Sequence, residues 1–485
     1  MTKKVMLINT GGTIGMVPSI DGDPLSPLRP AENWKEITGL HPVLSESQLG
    51  ISMGYHQFKP LLDSSQMRYE NWAQMAEVIA QHYANYDGFV LLHGTDTMCY
   101  TASALSFMLE NLGKPVILTG SQIPLVKPRS DAVQNLITSL VLATMPIPEV
   151  CVFFRDQLIR GNRSRKLSAS GYSAFGSPNY PPLATAGEHV VVNDKFIRKV
   201  PAADQGFLPS VAMDTRVMIV ELFPGLDPGV LRNLGQKGPA GDEGIHGLVL
   251  KAYGTGTAPT DPSFLEAVQL LTEGGCVVVD VSQCPEGTVE LGLYETSASL
   301  LNRGVVSGLD MTPEAAVSKL MYLLAKGWSA QEVKRVMQLN QTGEQSYNIH
   351  VLEFPGTVEP VPVHSASASV PGDVNLGELT GCTLRVRGVR FAEVQEAPAG
   401  QVELRVFLNH PTANRETPWT DARLACQIQT TALPATGQAL DLFGDLTAPA
   451  RRLVKPGQIL TLTVVCVTGK LSAQQLVVSL HERTG

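Results

Sequence analysis

Leu91-Leu-His-Gly-Thr-Asp-Thr-Met-Cys-Tyr-Thr101 changes character half-way along. The apolar run leading into it, Gly88-Phe-Val-Leu-Leu-His93, has the unbroken hydrophobicity of a strand covered on both faces, as in parallel sheets. Past the polar turn His93–Thr97, the residues Ala102, Leu105, Phe107, Met108 and Leu112 are the apolar positions of a helix expected over Met98–Leu112. Thr95 and Asp96 therefore sit where a strand hands over to a helix. That carboxyl edge is where open α/β sheets bind ligands, and a helix start offers free N–H groups to an anion. Two hydroxyls and a carboxylate within five residues at such an edge point to polar chemistry.

The same grammar extends to both sides. Lys4–Asn9 reads as a strand and runs into Thr10-Gly-Gly-Thr-Ile-Gly15, whose glycines permit a tight turn and a close approach of ligand to backbone. The spacing is not GxGxxG, so it carries little dinucleotide signal. Residues 16–35, rich in Pro, Gly and Asp, read as a long loop of the kind that forms lids. Asp63-Ser64-Ser65 precedes a helix over Asn71–Tyr83 with a core-facing stripe of Trp72, Met75, Ala76, Ile79 and Tyr83; from spacing alone these three polar residues are capping residues. A strand over Pro115–Gly120, a helix opened by Arg129–Asn135 and a strand over Val150–Phe154 follow. Arg160-Gly-Asn-Arg-Ser-Arg-Lys166 reads as a solvated basic loop. This alternation predicts a largely parallel sheet with right-handed crossovers.

After a Pro/Gly-rich passage the pattern restarts: strands over 217–221, 247–252 and 276–281, the loop Tyr253-Gly-Thr-Gly-Thr257, and helices over 264–272, 312–326 and 329–339. The expected organisation is a large α/β domain (1–195), a smaller one (211–350), a linker (353–372) and an all-β, sandwich-like domain (373–485) of alternating strands. Arg385, Arg387 and Arg390 in that last region read as an ordinary solvated strand face.

Composition narrows the class. With 44% hydrophobic and 17% charged residues the chain suits a soluble globular protein with a sizeable core. A net charge of −8 does not suggest nucleic-acid binding, and no apolar run reaches membrane-spanning length. Val5–Ile8 is too short for a signal-peptide core and reads as the first strand. Seven scattered cysteines without a CxxC pair, and ten histidines without HExxH spacing, favour reduced thiols in a cytoplasmic protein and give no zinc signature.

Thr10-Gly-Gly-Thr-Ile-Gly15 together with His93-Gly-Thr-Asp-Thr97 resembles the pair of signature motifs of bacterial-type L-asparaginases. The longer stretch Gly88–Pro124 and Arg160-Gly-Asn-Arg163 are similar to the cytoplasmic type I branch. The resemblance covers residues 3–345 and stops short of the C-terminal β region, which that branch usually lacks. It implies the two-domain α/β asparaginase fold in a homodimer or homotetramer, with each site between the larger domain and a neighbouring subunit's smaller one. It also implies hydrolysis of L-asparagine to L-aspartate and ammonia without metal or cofactor. Matched position by position, Thr13 is the nucleophile-bearing threonine; Thr95, Asp96 and Lys166 form a second catalytic set; Asp63, Ser64, Ser65, Gly94 and Gly12 belong to substrate binding.

The residue types suit the chemistry. Amide hydrolysis needs a nucleophile, a proton path and an oxyanion stabiliser. A threonine hydroxyl needs activation, a lysine beside Thr95 is placed to relay a proton, and an N–H at the Gly94–Thr95 turn is placed to hold an oxyanion. The sequence leaves open which threonine attacks first; the reading adopted has Thr13 form an acyl-enzyme and Thr95 deliver water. Two departures stand out. Ile20-Asp-Gly-Asp-Pro24 lacks the lid tyrosine of several relatives, for which Tyr294 is a candidate substitute or an ordinary packing aromatic. Thr257 replaces an asparagine common in relatives, which bears on affinity or substrate range. The rival readings are a same-fold amidohydrolase acting on glutamine or a glutaminyl group on tRNA, and a non-catalytic small-molecule-binding α/β protein.

Overall fold

A computed structural model describes residues 2–20, 26–202, 204–235, 244–291, 295–392, 394, 402–430 and 439–484. They fall into two compact units, Met1–Gln345 and Ser346–Gly485.

The first unit opens with a mixed sheet of eight strands: β1 (Lys4–Gly11), β2 (Ser52–Leu62), β3 (Gly88–Leu92), β4 (Val116–Thr119), β5 (Val150–Phe154), β6 (Gln157–Arg160), β7 (Ala184–Ala186) and β8 (Val190–Val192). Their order is β8-β7-β6-β5-β4-β3-β1-β2. Strands β2, β1, β3, β4 and β5 are mutually parallel, and β6, β7 and β8 extend the edge antiparallel. The parallel part thus runs 2-1-3-4-5, a doubly wound order whose direction reverses between β1 and β3. Side chains alternate between two cores. Met6, Ile8, Phe89 and Leu91 pack under helices α1 (Tyr69–His82) and α2 (Met98–Met108). Val5, Leu7, Val90 and Leu92 pack under α3 (Ala132–Leu142). Coverage on both faces is why Gly88–Leu92 is apolar without a break.

Helix α2 stops at Met108 and not at Leu112, because Leu109–Glu110 leaves the helix to pair antiparallel with Leu208–Pro209 and Asn111 adopts φ 55°. Similarly α3 begins at Ala132, three residues past Arg129, which has φ 65°.

A second, fully parallel sheet holds β9 (Val217–Glu221), β10 (Gly247–Ala252), β11 (Val277–Ser282) and β12 (Val306–Ser307) in sequential order. Helices α4 (Pro262–Glu273), α5 (Pro313–Leu324) and α6 (Ala330–Met337) accompany it. One apolar core joins α2 to α5, with the Phe107 and Tyr322 rings 5.8 Å apart. Beneath α5, Lys319 and Glu344 form a fully buried pair at 2.6 Å, and the Lys319 ammonium also donates to the Met337 and Leu339 carbonyls.

The second unit contains β13 (Tyr347–Val361), β14 (Val363–Ser369), β15 (Leu379–Ala392), β16 (Val402–Leu408), β17 (Leu424–Thr430), β18 (Leu440–Asp445), β19 (Ile459–Cys466) and β20 (Lys470–Arg483). Two antiparallel sheets, β13-β20-β15-β18 and β14-β19-β16-β17, share one apolar core and make a sandwich. The linker expected at 353–372 is instead strand over 353–361 and 363–369, and residues 346–350 belong to the sandwich and not to the smaller α/β domain. The reason is position: β13 and β14 are edge strands, where proline is tolerated, and Pro355 pairs opposite Gln475. Ser365 and Ser367 meet Thr463 and Thr461 through hydroxyl hydrogen bonds of 2.9 Å, so a Ser/Ala/Pro-rich composition serves as sheet edge. The arginines also differ from expectation. Arg385 is buried and bonded to Asp441 at 2.7 and 3.0 Å, Arg387 is half-buried, and Arg390 alone is exposed. Among the described residues no helix is long and apolar enough to cross a membrane.

Candidate active site

The carboxyl ends of β1 and β3, on either side of the reversal in strand order, carry the two threonine turns. Gly12 has φ 86°, and a Cβ there would lie 2.6 Å from the Gly94 nitrogen. A Cβ on Gly94 would lie 2.4 Å from the Ser64 hydroxyl. Both contacts are closer than a side chain allows, so glycine is required for the turns after β1, before α1 and after β3 to touch. Cross-bonds hold them together: Thr10 Oγ1 donates to the Leu92 carbonyl at 2.8 Å, and Thr97 Oγ1 to the Ser64 carbonyl at 2.7 Å. Gly12, Thr13, Asp63, Ser64, Ser65, Gly94, Thr95 and Asp96 are thereby gathered at one edge.

Lys166 reaches this edge from a two-residue strand, Arg165–Lys166, paired antiparallel with Phe175–Gly176. Its Nζ donates to Thr95 Oγ1 at 2.9 Å and to Asp96 Oδ1 at 2.7 Å. The Asp96 side chain is 66% exposed, which leaves carboxylate surface for a ligand. Thr13 is exposed, and its Oγ1 donates to the Ser121 carbonyl at 3.2 Å. The Gly120–Ser121 end of β4 lies against both threonines: a Cβ on Gly120 would be 3.5 Å from Thr95 Cγ2. Asp63 accepts from the Ser65 N–H at 2.9 Å, which caps the short turn Ser64–Gln66 and not α1, whose N-cap is Arg68; that bond holds the Asp63 carboxyl below the usual range. Ser64 is buried and Ser65 exposed. Thr257 lies on the smaller domain and is bonded into its own loop, its N–H and hydroxyl both donating to the Tyr253 carbonyl. Tyr294 and the stretch 21–24 lie outside the described residues.

Two features had no role in the sequence reading. Ser121 is buried, and its hydroxyl has no partner among the described residues. Its only sequence signal is a place at the end of the strand beside β3. His93 is fully buried, and Nδ1 lies 2.6 Å from the Gly94 carbonyl, which accepts only, so that nitrogen carries the proton. Nε2 then accepts from Thr101 Oγ1 at 2.9 Å, and Thr101 accepts from Trp72 Nε1 at 3.0 Å. Burial pushes the imidazole down to about 4. The chain Trp72–Thr101–His93 therefore fixes the Gly94 carbonyl, and with it the peptide leading to Thr95. Nearby Cys99 is no rival nucleophile: burial pushes its thiol up to about 12.

The basic loop is not a solvated face. Arg160 is 4% exposed, bonded to Glu149 at 2.5 and 3.1 Å and stacked over Tyr180. Arg163 is 1% exposed, bonded to Asp310 at 2.9 Å and to the Gly343 carbonyl at 2.8 Å. Such burial is tolerated because both guanidiniums meet a carboxylate; Asp310 is 147 residues from Arg163 and invisible to local spacing, whereas Glu149 is 11 residues from Arg160, across the β5–β6 hairpin.

Comparison with known proteins gives a consistent result. The family model described as Asparaginase, N-terminal matches residues 4–198, and that described as Glutaminase/Asparaginase C-terminal domain matches residues 216–337. L-asparaginase 1 of Escherichia coli is 42% identical over 346 residues, covering 70% of this chain and 98% of that protein. The 60 kDa lysophospholipase of Mus musculus is 38% identical over 364 residues, covering 71% of this chain and 63% of its own. The crystal structure of L-asparaginase I from Vibrio cholerae is 40% identical with a TM-score of 0.63, covering 71% of this chain and all of that one. The sandwich lies outside both matched family regions. The chain belongs to the asparaginase family, with a β-sandwich added after the two family domains.

Proposed function

We propose that the chain hydrolyses L-asparagine to L-aspartate and ammonia through a threonine acyl-enzyme. The observation that carries the reading is the Lys166 ammonium held between Thr95 and Asp96 at the turn that touches Gly12. Thr13 Oγ attacks the side-chain amide carbon. The tetrahedral oxyanion is received by backbone N–H at the Gly94–Thr95 turn, a contribution of about 3–4 kcal/mol when well aimed. The C–N bond breaks as the proton of the Thr13 hydroxyl passes to the amide nitrogen, so that ammonia leaves and an aspartyl ester remains on Thr13. Thr95 orients the water that opens the ester, and Lys166, with Asp96 beside it, relays the proton. Asp63 and Asp96 face the substrate ammonium. Ser64, with Ser65, Gly12 and Gly94 around it, receives the substrate carboxylate. No metal or cofactor enters this scheme.

The same reading places the enzyme in the cytoplasm as a homodimer or homotetramer, in which a neighbouring subunit's smaller domain, with the Thr257 loop at the contact, closes each site. Glutamine and glutaminyl-tRNA are the alternative substrates within the fold; the net charge of −8 gives no support to a tRNA partner. The deciding experiment is ammonia release by the purified protein from L-asparagine, D-asparagine and L-glutamine. Fast release from L-asparagine supports the proposal, and release from none of the three defeats it.

A further inference from the structure

The loop Arg160–Lys166 is fastened along its length. Arg160 and Arg163 share the Gly343 carbonyl, Asn162 bonds to Thr342, and Arg163 bonds to Asp310. The last tether before Lys166 is of another kind. Arg165 Nε lies 3.6 Å from Glu314 Oε2, and both atoms are buried with no hydrogen-bond partner among the described residues. It is a Coulombic contact without the directional bonds of the other two arginine–carboxylate pairs. Arg165 and Lys166 are consecutive in an extended strand, so their side chains leave on opposite faces. One face is drawn to Glu314, and the other presents Lys166 to Thr95.

Glu314 also faces the other half of that contact. It stands in the first turn of α5, with Cys99 and Tyr100 of α2 within its electrostatic reach, and α2 begins two residues past Asp96. Among the described residues, the charged and titratable groups that act on Glu314 are Arg165, Lys251 at the end of β10, Cys99 and Tyr100. Burial pushes the Glu314 carboxyl up, and Arg165 and Lys251 oppose that push.

We infer that Glu314 is a positioning residue for Lys166: through Arg165 it sets the strand that presents the lysine to Thr95, and it balances the guanidinium charge next to that lysine. The inference rests on the proposed amide hydrolysis, and two readouts separate its fate from that of the reaction.

The test is Glu314→Gln, close in shape but uncharged. It leaves Arg165 unbalanced, which raises the local positive potential and favours loss of the Lys166 proton. The expected result is a kcat for ammonia release lower by about 10- to 100-fold, with KM changed by less than about twofold and the Lys166-dependent limb of the pH profile moved to lower pH. Glu314→Asp recovers part of kcat. The Arg165→Gln/Glu314→Gln double variant loses less than Glu314→Gln alone, because no uncompensated, half-buried cation is left. The readout independent of turnover is acetylation of Lys166 by acetic anhydride across pH, followed by mass spectrometry. Glu314→Gln shifts the onset of labelling to lower pH, whereas Glu332→Gln, in an exposed pair with Arg335, does not. Unchanged kcat and labelling in Glu314→Gln overturn the inference. So does a fall in Tm with unshifted labelling and equal damage to kcat and KM, which is what a purely structural role produces. If the wild-type protein releases no ammonia, the reaction assignment falls, and the labelling shift alone decides whether Glu314 positions Lys166.

Discussion

Thr13 and Thr95 follow neighbouring parallel strands, β1 and β3, and their turns touch through Gly12 and Gly94. Their hydroxyls are served very differently. Thr95 Oγ1 receives the Lys166 ammonium at 2.9 Å, in a turn whose backbone is pinned by His93. Thr13 is exposed and its Oγ1 donates a hydrogen bond to the Ser121 carbonyl at 3.2 Å, with no base bonded to it among the described residues. A carbonyl orients a hydroxyl but does not take its proton. On the proposed mechanism, proton handling falls to the Thr95 turn and Thr13 is the presented nucleophile, to be activated by the substrate's arrival or by a group closing over it.

Substituting the two threonines bears hardest on that contrast. Thr13→Ala and Thr95→Val are each expected to lower kcat by about 10³-fold or more while the fold survives. They should differ by mass spectrometry after mixing with asparagine: Thr95→Val accumulates the aspartyl ester on Thr13, and Thr13→Ala forms none. An ester on Thr95 in the Thr13→Ala protein would reverse the two roles. Next in size is Lys166→Met, expected to cost about 10²- to 10⁴-fold in kcat. Lys166→Arg should not rescue it, since a guanidinium holds its proton. A small effect of either would mean that the contact to Thr95 is only structural.

The pinned backbone predicts a pH effect on stability. His93 is held neutral, with its imidazole pushed down to about 4 from 6.5. For a base whose value is depressed in the folded state, the stabilisation is whole above pH 6.5 and is lost as pH falls from 6.5 through 4. The loss is ~3 kcal/mol. Urea unfolding across that window should show it, and His93→Gln should flatten the curve there. The smallest expected change is from ending the chain at Gln345: the α/β unit has its own cores and contains all the catalytic candidates, so kcat should stay within about twofold. A larger fall would give the sandwich a part in turnover.

Much was legible along the chain because local patterns carry it. An unbroken apolar run means a strand covered on both faces, and the polar turn at His93–Thr97 marks the sheet edge wherever the sheet lies. Asp63 could be read as a cap from its spacing, but it caps only the short turn Ser64–Gln66, while Arg68 stands at the N-cap of α1. Where reading failed, the deciding contact was distant. Pro355, Ser365 and Ser367 look like linker until Gln475, Thr463 and Thr461 are seen opposite them. Arg163 looks solvated until Asp310, 147 residues on, is brought in. Ser121 and His93 carried no role because a buried hydroxyl or imidazole acquires one only from its neighbours.

The sequence by itself determined the alternation of strands and helices, the polar turns at strand ends and the residue types available for amide chemistry, since each follows from periodicity and composition within a few residues. Only the tertiary structure decided that β1 and β3 lie side by side where the winding reverses. That adjacency brings Gly12 against Gly94 at the carboxyl ends of the two strands, and Lys166, 71 residues from Thr95 along the chain, places its ammonium on that hydroxyl. Strand order is a matter of which surfaces can be buried together, and no local window contains it.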